Sequence, residues 1–170
     1  ELSFGVRRYL PEDDKEGQSE GDWLGFHPPG WFSKIVPVPS CPLASDGINA
    51  AIEQIQDAKL SPAWNNQDHT GHWRHVVCRE GDHVVVNLVT HPDTDPSSVA
   101  AVAEQLLQTE RAGGVIWTVT DRLSDVAAGE TRQVWGDPTV SLQMGGVKLA
   151  LPHEAFFQVN TEGAKVLFET

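Results

Sequence analysis

The segment Gly71 to His91, GHWRHVVCREGDHVVVNLVTH, constrains the fold of this chain more than any other. Val84, Val86 and Leu88 alternate with Val85, Asn87 and Val89, the two-residue repeat of a strand, and a second β-prone run precedes them. The polar connection Arg79-Glu80-Gly81-Asp82 is short enough to close a hairpin. A hairpin this apolar has to be covered, and two segments carry the helical repeat to cover it. In the first, Ile48, Ala51, Ile52 and Ile55 recur at helical spacing from Ser45 to about Leu60, with Ser45 or Asp46 as the cap. In the second, Ser97 to Arg111, Asp95 is the cap and Pro96 suits the first turn. Val99, Val102, Ala103 and Leu106 form its apolar stripe.

Further strands flank these elements. Leu2, Phe4 and Val6 alternate with Ser3, Gly5 and Arg7, so a strand is expected from Leu2 to Leu10. After an acidic loop from Pro11, WLGFH and SKIVPVP are two short strands separated by the turn PPGWF, which completes a meander. Past the second helix, VIWTVTD, TRQVWGD and TVSLQMGGVKLALP read as strands, the last folded on itself at Gly145-Gly146, where positive φ is needed. GAKVLFET has the pattern of the start of a further helix. The predicted class is α+β, a largely antiparallel sheet with two main helices packed on one face. Residues 1–152 are expected to form one domain, divisible into 1–65 and 66–152, and 153–170 a junction.

With 170 residues the chain can build one packed core. Its 24 acidic against 12 basic residues, net −12, oppose non-specific attraction to nucleic acid. Much of that acidity sits in PEDDKEGQSEGD and THPDTDPSS, which leaves room for a local basic site. No apolar run approaches the length of a bilayer span, so no membrane partner is expected. Two cysteines, Cys41 and Cys78, give neither a disulfide framework nor a zinc spacing and fit a reducing, cytoplasmic setting. The chain opens inside a strand pattern without an initiator methionine or an apolar leader and ends inside a helical one. The expectation is a monomeric segment of a longer polypeptide.

In TGHWRHVV, strand geometry points His72 and His75 to opposite faces, which keeps them from sharing a metal ion. Alternation puts Trp73, His75 and Val77 on one face and His72, Arg74 and Val76 on the other. Arg74 is then a cation on an exposed face, open to an RNA phosphate or to a surface ion pair. His27, before PPG, reads as a turn residue. Cys41 is either a thiol activated by the first helix or a buried, inert one. No hydrolase elbow and no paired carboxylates are present. Tryptophans at 23, 31, 64, 73, 117 and 135 could supply base-stacking platforms, although aromatics on alternating strands are mostly core. In HEAFFQVNT, Phe157 and Val159 share one face, and Phe156, Gln158 and Asn160 the other. A ring beside two amides suits a planar heterocycle or a cofactor edge; a strand covered on both faces is the plainer account.

Four segments in order carry a family resemblance: ELSFG, WLGFHPPGWFSKIVPVPSCPL, TGHWRHVVCREG and FFQVNTEGAKVLFE. Together they resemble the RNA 5-methyluridine (uracil-C5) methyltransferases, enzymes that methylate uridines of tRNA and rRNA using S-adenosylmethionine. The resemblance implies that this chain is the central RNA-recognition and scaffold domain. Residues 153–170 would lead into a Rossmann-like methyltransferase domain. It also implies a cysteine nucleophile that attacks C6 of a flipped uracil and a carboxylate base that later removes the C5 proton, both outside this chain. Neither Cys41 nor Cys78 matches the nucleophile's motif, so this segment alone is expected to be inactive and to bind no cofactor tightly. By the same resemblance Gln158 contacts the cofactor, Phe156 approaches RNA and Asn160 shapes the strand-to-helix corner. Cys41 would supply one ligand to a four-iron cluster in members that have one. Two other classes fit the residues without it: a non-catalytic RNA- or protein-binding module, and an unrelated metabolic or regulatory domain in which FFQVN is only a sheet segment.

Overall fold

The computed structural model describes residues 1–9 and 20–155, together with positions 163 and 166. Among the described residues the elements follow in the order β1 (Leu2–Arg7), β2 (Glu20–Phe26), β3 (Val36–Pro37), α1 (Asp46–Asp57), β4 (Trp73–Glu80), β5 (Val84–Thr90), α2 (Pro96–Gln108), β6 (Gly114–Val119), β7 (Glu130–Gly136), β8 (Thr139–Met144) and β9 (Val147–Pro152). Seven strands form one sheet in the order β3-β2-β1-β4-β5-β6-β7, and β8 and β9 form a separate hairpin. The fold is α+β, as the patterning predicts. Because β1 pairs with β4, residues on both sides of the 65/66 boundary share that sheet. Gly163 and Val166 are helical. Among the described residues no helix is long and apolar enough to cross a membrane.

Both helices form where capping and apolar spacing coincide. The Ser45 hydroxyl accepts from Ile48 N–H at 3.2 Å, and the Asp95 carboxylate accepts from Ser97 N–H at 3.0 Å with Pro96 in the first turn. α1 stops at Asp57 and α2 at Gln108, each about one turn before the end that periodicity suggests. Their stripes, Ala51, Ile52 and Ile55 from α1 and Val99, Val102, Ala103 and Leu106 from α2, pack with Leu2, Phe4, Trp73, Val76, Val86, Leu88 and Val115 in one core. Each fully buried aliphatic side chain contributes about 1.5–3 kcal/mol.

Two features depart from the predicted pattern. SKIVPVP shrinks to the two residues of β3 plus an isolated bridge between Arg8 and Ile35. Pro37 and Pro39 lack the N–H a longer ladder needs. β5 and β6 are parallel, Val86 opposite Val115 and Leu88 opposite Trp117, with α2 as the crossover; the other ladders are antiparallel.

The β8–β9 hairpin turns at Gly145 and Gly146, φ +54° and +77°, the two positive values expected there. It docks on the sheet face opposite the helices, where Val140 packs with Val85 and Ile116. Asp82 N–H donates to Ser141 O at 2.9 Å, and Ser141 N–H donates to the Asp82 carboxylate at 2.8 Å. Where β6 meets the end of β7, a Cβ on Gly114 would collide with the carbonyl oxygen of Asp137. Gly114→Ala should therefore lower stability by about 1–3 kcal/mol, read from the urea midpoint. An unchanged midpoint would show that this strand end has slack.

Candidate functional site

Four segments meet at one end of the sheet: the beginning of β1, the end of β2, the beginning of β4 and the 120–129 loop after β6. What brings β4's residues there is a bulge. The β4–β5 register shifts between Trp73 and His75, so Trp73 and Val76 both enter the helix-side core. This corrects strict alternation, which puts Trp73 with His75 and Val76 with Arg74.

Arg74 is therefore not on an exposed face; it is 1% exposed. Its Nη1 donates to Arg122 O at 2.6 Å and Thr120 O at 3.3 Å, and its Nη2 donates to Ser124 O at 3.1 Å. The guanidinium lies 4.3 Å from the ring centre of Trp64, which itself stacks on His91 at 5.7 Å. Desolvation lowers the Arg74 pKa against the raising influence of Asp125 and Asp121, but an arginine so placed stays a cation. Its fork holds the loop after β6 by main-chain oxygens.

His75 leaves the opposite side of the bulge and is also 1% exposed. Its Nδ1 is 3.2 Å from the Ser3 hydroxyl, and its Nε2 is 3.5 Å from Asp125. Asp125 also reaches His27, whose Nε2 lies 2.8 Å from the carboxylate and whose Nδ1 is 2.9 Å from Lys34 O. Desolvation pushes the His75 pKa down to about 4, more than the Asp125 charge restores. His27 moves upward, chiefly through its hydrogen bond to Asp125. Burial alone would raise Asp125; the bond and charge of His27, with His75 and Arg74, outweigh it and hold the carboxyl below its ordinary range. The set at neutral pH is a buried neutral imidazole, a carboxylate and an arginine. Ser3, His75 and Asp125 are in sequence like a hydrolytic relay, but the Ser3 hydroxyl is buried with the imidazole, so no substrate can meet it there. The cluster is a brace.

His72 lies outside this cluster, and no group of three His, Cys, Asp or Glu side chains among the described residues comes together to hold a metal. Cys41 is half-buried in the segment before α1. Its N–H donates to Asn49 Oδ1 at 2.8 Å, and Asn49 Nδ2 returns a bond to Cys41 O at 3.1 Å. The described residues thus do not assemble a cluster site around it. The Cys78 thiol, packed against the core, is pushed up to about 12 by desolvation and is no nucleophile. Phe156 and Gln158 lie outside the described residues, as do Phe157 and Asn160. Immediately before them, Arg79 near the end of β4 donates to Ala155 O at 2.6 Å and Pro152 O at 3.4 Å. Patterning gives no hint of Asp125 and reads His27 as a turn residue; the adjacent Arg74-His75 pair is the one local sign of the cluster.

No family model matches the chain. The tRNA (uracil(54)-C(5))-methyltransferase of Pyrococcus furiosus is 29% identical over 156 residues, covering 86% of this chain and 36% of the relative. Its namesake in Pyrococcus horikoshii is 31% identical over 147 residues, 81% of this chain and 34% of the relative. The crystal structure of Pyrococcus abyssi tRNA (uracil-54, C5)-methyltransferase in complex with S-adenosyl-L-homocysteine matches with a TM-score of 0.68 and 26% identity over 96% of this chain and 40% of that one. The chain thus spans roughly a third of the length of these relatives. Sequence relatives and a solved fold agree over most of its residues, and both support a place for the chain among the RNA uracil-C5 methyltransferases.

Proposed function

We propose that the protein containing this chain makes 5-methyluridine in tRNA or rRNA and uses S-adenosylmethionine as the methyl donor. Residues 1–152 act as the domain that handles RNA, and 153–170 join it to the catalytic domain. The observation that carries this reading is the match over 96% of the chain to an enzyme whose crystal structure holds S-adenosyl-L-homocysteine, what the methyl donor becomes after transfer. A cytoplasmic setting follows from substrates of this kind.

In this reading the brace around Arg74, His75 and Asp125 fixes the loops at one end of the sheet. Arg74 supports RNA handling by positioning the 120–124 backbone. Arg79 holds the main chain at Pro152 and Ala155, just before Phe156 and Gln158 in sequence. Gln158 faces the cofactor and Phe156 the RNA, so their loss should separate two steps. Cys41 is the ligand this chain would offer a four-iron cluster.

The test is methyl transfer by the full-length protein to unmodified tRNA and rRNA transcripts, with nucleoside mass spectrometry. The expected product is 5-methyluridine. Gln158→Ala should lower turnover roughly tenfold, the worth of about one hydrogen bond, with little change in RNA affinity. Phe156→Ala should weaken RNA binding instead. Methylation of another base, or unchanged kinetics in both variants, would overturn the assignment. RNA binding without any methyl transfer would favour a non-catalytic module.

A further inference from the structure

The loop between β2 and β3, HPPGWFSK, exposes two consecutive aromatic rings, Trp31 at 46% and Phe32 at 72% exposure. It is nonetheless well held. Gly30, at φ +80°, turns the chain, and Trp31 N–H donates to Pro28 O at 3.1 Å. His27 Nδ1, 2.9 Å from Lys34 O, closes the base of the loop, and Asn66 Nδ2 donates to Phe32 O at 2.8 Å. Through Asp125 the same His27 ties this base to the Arg74–His75 brace. The Lys34 ammonium lies 4.1 Å from the Trp31 ring centre and 5.7 Å from that of Tyr9. One residue before Tyr9, Arg8 sits 5.1 Å over Trp23.

We propose that Trp31 and Phe32, flanked by Lys34, form a stacking platform for unpaired bases of the RNA substrate. The proposal rests on the reading of the protein as an RNA methyltransferase. A chain of net charge −12 cannot attract RNA by spread charge, so a local surface must rely on stacking and a few cations. This loop supplies that combination: exposed rings, pre-positioned, with an ammonium over one face of Trp31 that can meet a phosphate while the other face and the Phe32 ring take bases. Bases inside a duplex are already stacked, so the platform selects single-stranded segments. A protein partner is the poorer fit, because lysine is depleted from the centres of protein interfaces and here lies among the rings.

The test uses the full-length protein with a short single-stranded oligouridylate and an RNA duplex as probes. Hydroxyl-radical footprinting should show Trp31 and Phe32 oxidised in the free protein and protected by the oligouridylate, not by the duplex. Trp31→Ala and Phe32→Ala should each weaken oligouridylate binding roughly 5- to 100-fold, at unchanged unfolding midpoint, and Trp31→Phe should restore most of it. Lys34→Gln should reduce the salt slope of log Kd by about one. Methyl transfer by the wild-type protein is measured in parallel. Methylation with unchanged affinity in both ring variants refutes the platform alone; a wild-type protein that neither methylates nor binds RNA refutes the reading beneath it. Rings already protected in the free protein, or self-association lost in the ring variants, would make the surface a protein contact and overturn the proposal.

Discussion

Replacing Arg74 by methionine should lower the unfolding free energy by about 3–5 kcal/mol. The side chain is 1% exposed and bonds three main-chain oxygens, of Thr120, Arg122 and Ser124. Methionine fills similar volume but leaves those oxygens without their donor and removes one of the charges that hold the Asp125 carboxyl down. Lysine restores the charge without the planar fork and should still lose roughly 2 kcal/mol. Urea unfolding of the two variants, with the m-value as a check on two-state behaviour, measures both. A shift equivalent to less than about 1 kcal/mol in Arg74→Met would mean that the brace is not what holds this end of the sheet.

Acid should destabilise the fold through His75. Its folded pKa of about 4 lies below the ordinary 6.5, so between these values the unfolded chain takes up a proton that the folded one refuses. Stability from this group is whole above pH 6.5 and declines as pH falls, by about 3 kcal/mol at pH 4. His27 acts oppositely: its pKa is raised, so its contribution is whole below 6.5 and is lost as pH rises through the folded value. Asp125, depressed, contributes above its ordinary range and loses that contribution as pH falls through its folded value. His75→Gln should therefore flatten the stability–pH slope between pH 6.5 and 5 by up to about 1.4 kcal/mol per pH unit, whereas His27→Gln should act above pH 6.5, removing the loss of stability that His27 causes there as pH rises. Parallel slopes in wild type and His75→Gln would refute the buried neutral imidazole.

The hairpin, both helices and their caps were legible because each rests on local pattern: alternation around Val84–Val89, helical spacing in Ile48–Ile55, and Asp95 before Pro96. The bulge at Trp73–His75 left no local mark. A single extra residue reverses which side chains share a face, so Arg74 changed from a surface cation to a buried one. The parallel β5–β6 pair was equally silent, since the direction of a strand is decided by where the chain re-enters the sheet. Of the candidate site, the Arg74-His75 pair could be read, but its acceptors are backbone oxygens, which have no residue signature. Asp125 and His27 reach it only through the tertiary fold. Trp31 could be named as a potential platform among six tryptophans; its exposure, against the burial of Trp64, Trp73 and Trp117, singles it out.

The bonds from Arg74 end on oxygens that every residue type carries. Positions 122 and 124, both exposed, can therefore drift in side chain during evolution without moving the loop they form, because the hold passes through the peptide groups, whereas Thr120 is buried and its hydroxyl accepts from Arg122 N–H. Diversification of that loop's exposed side chains is left open by a constraint concentrated in one arginine.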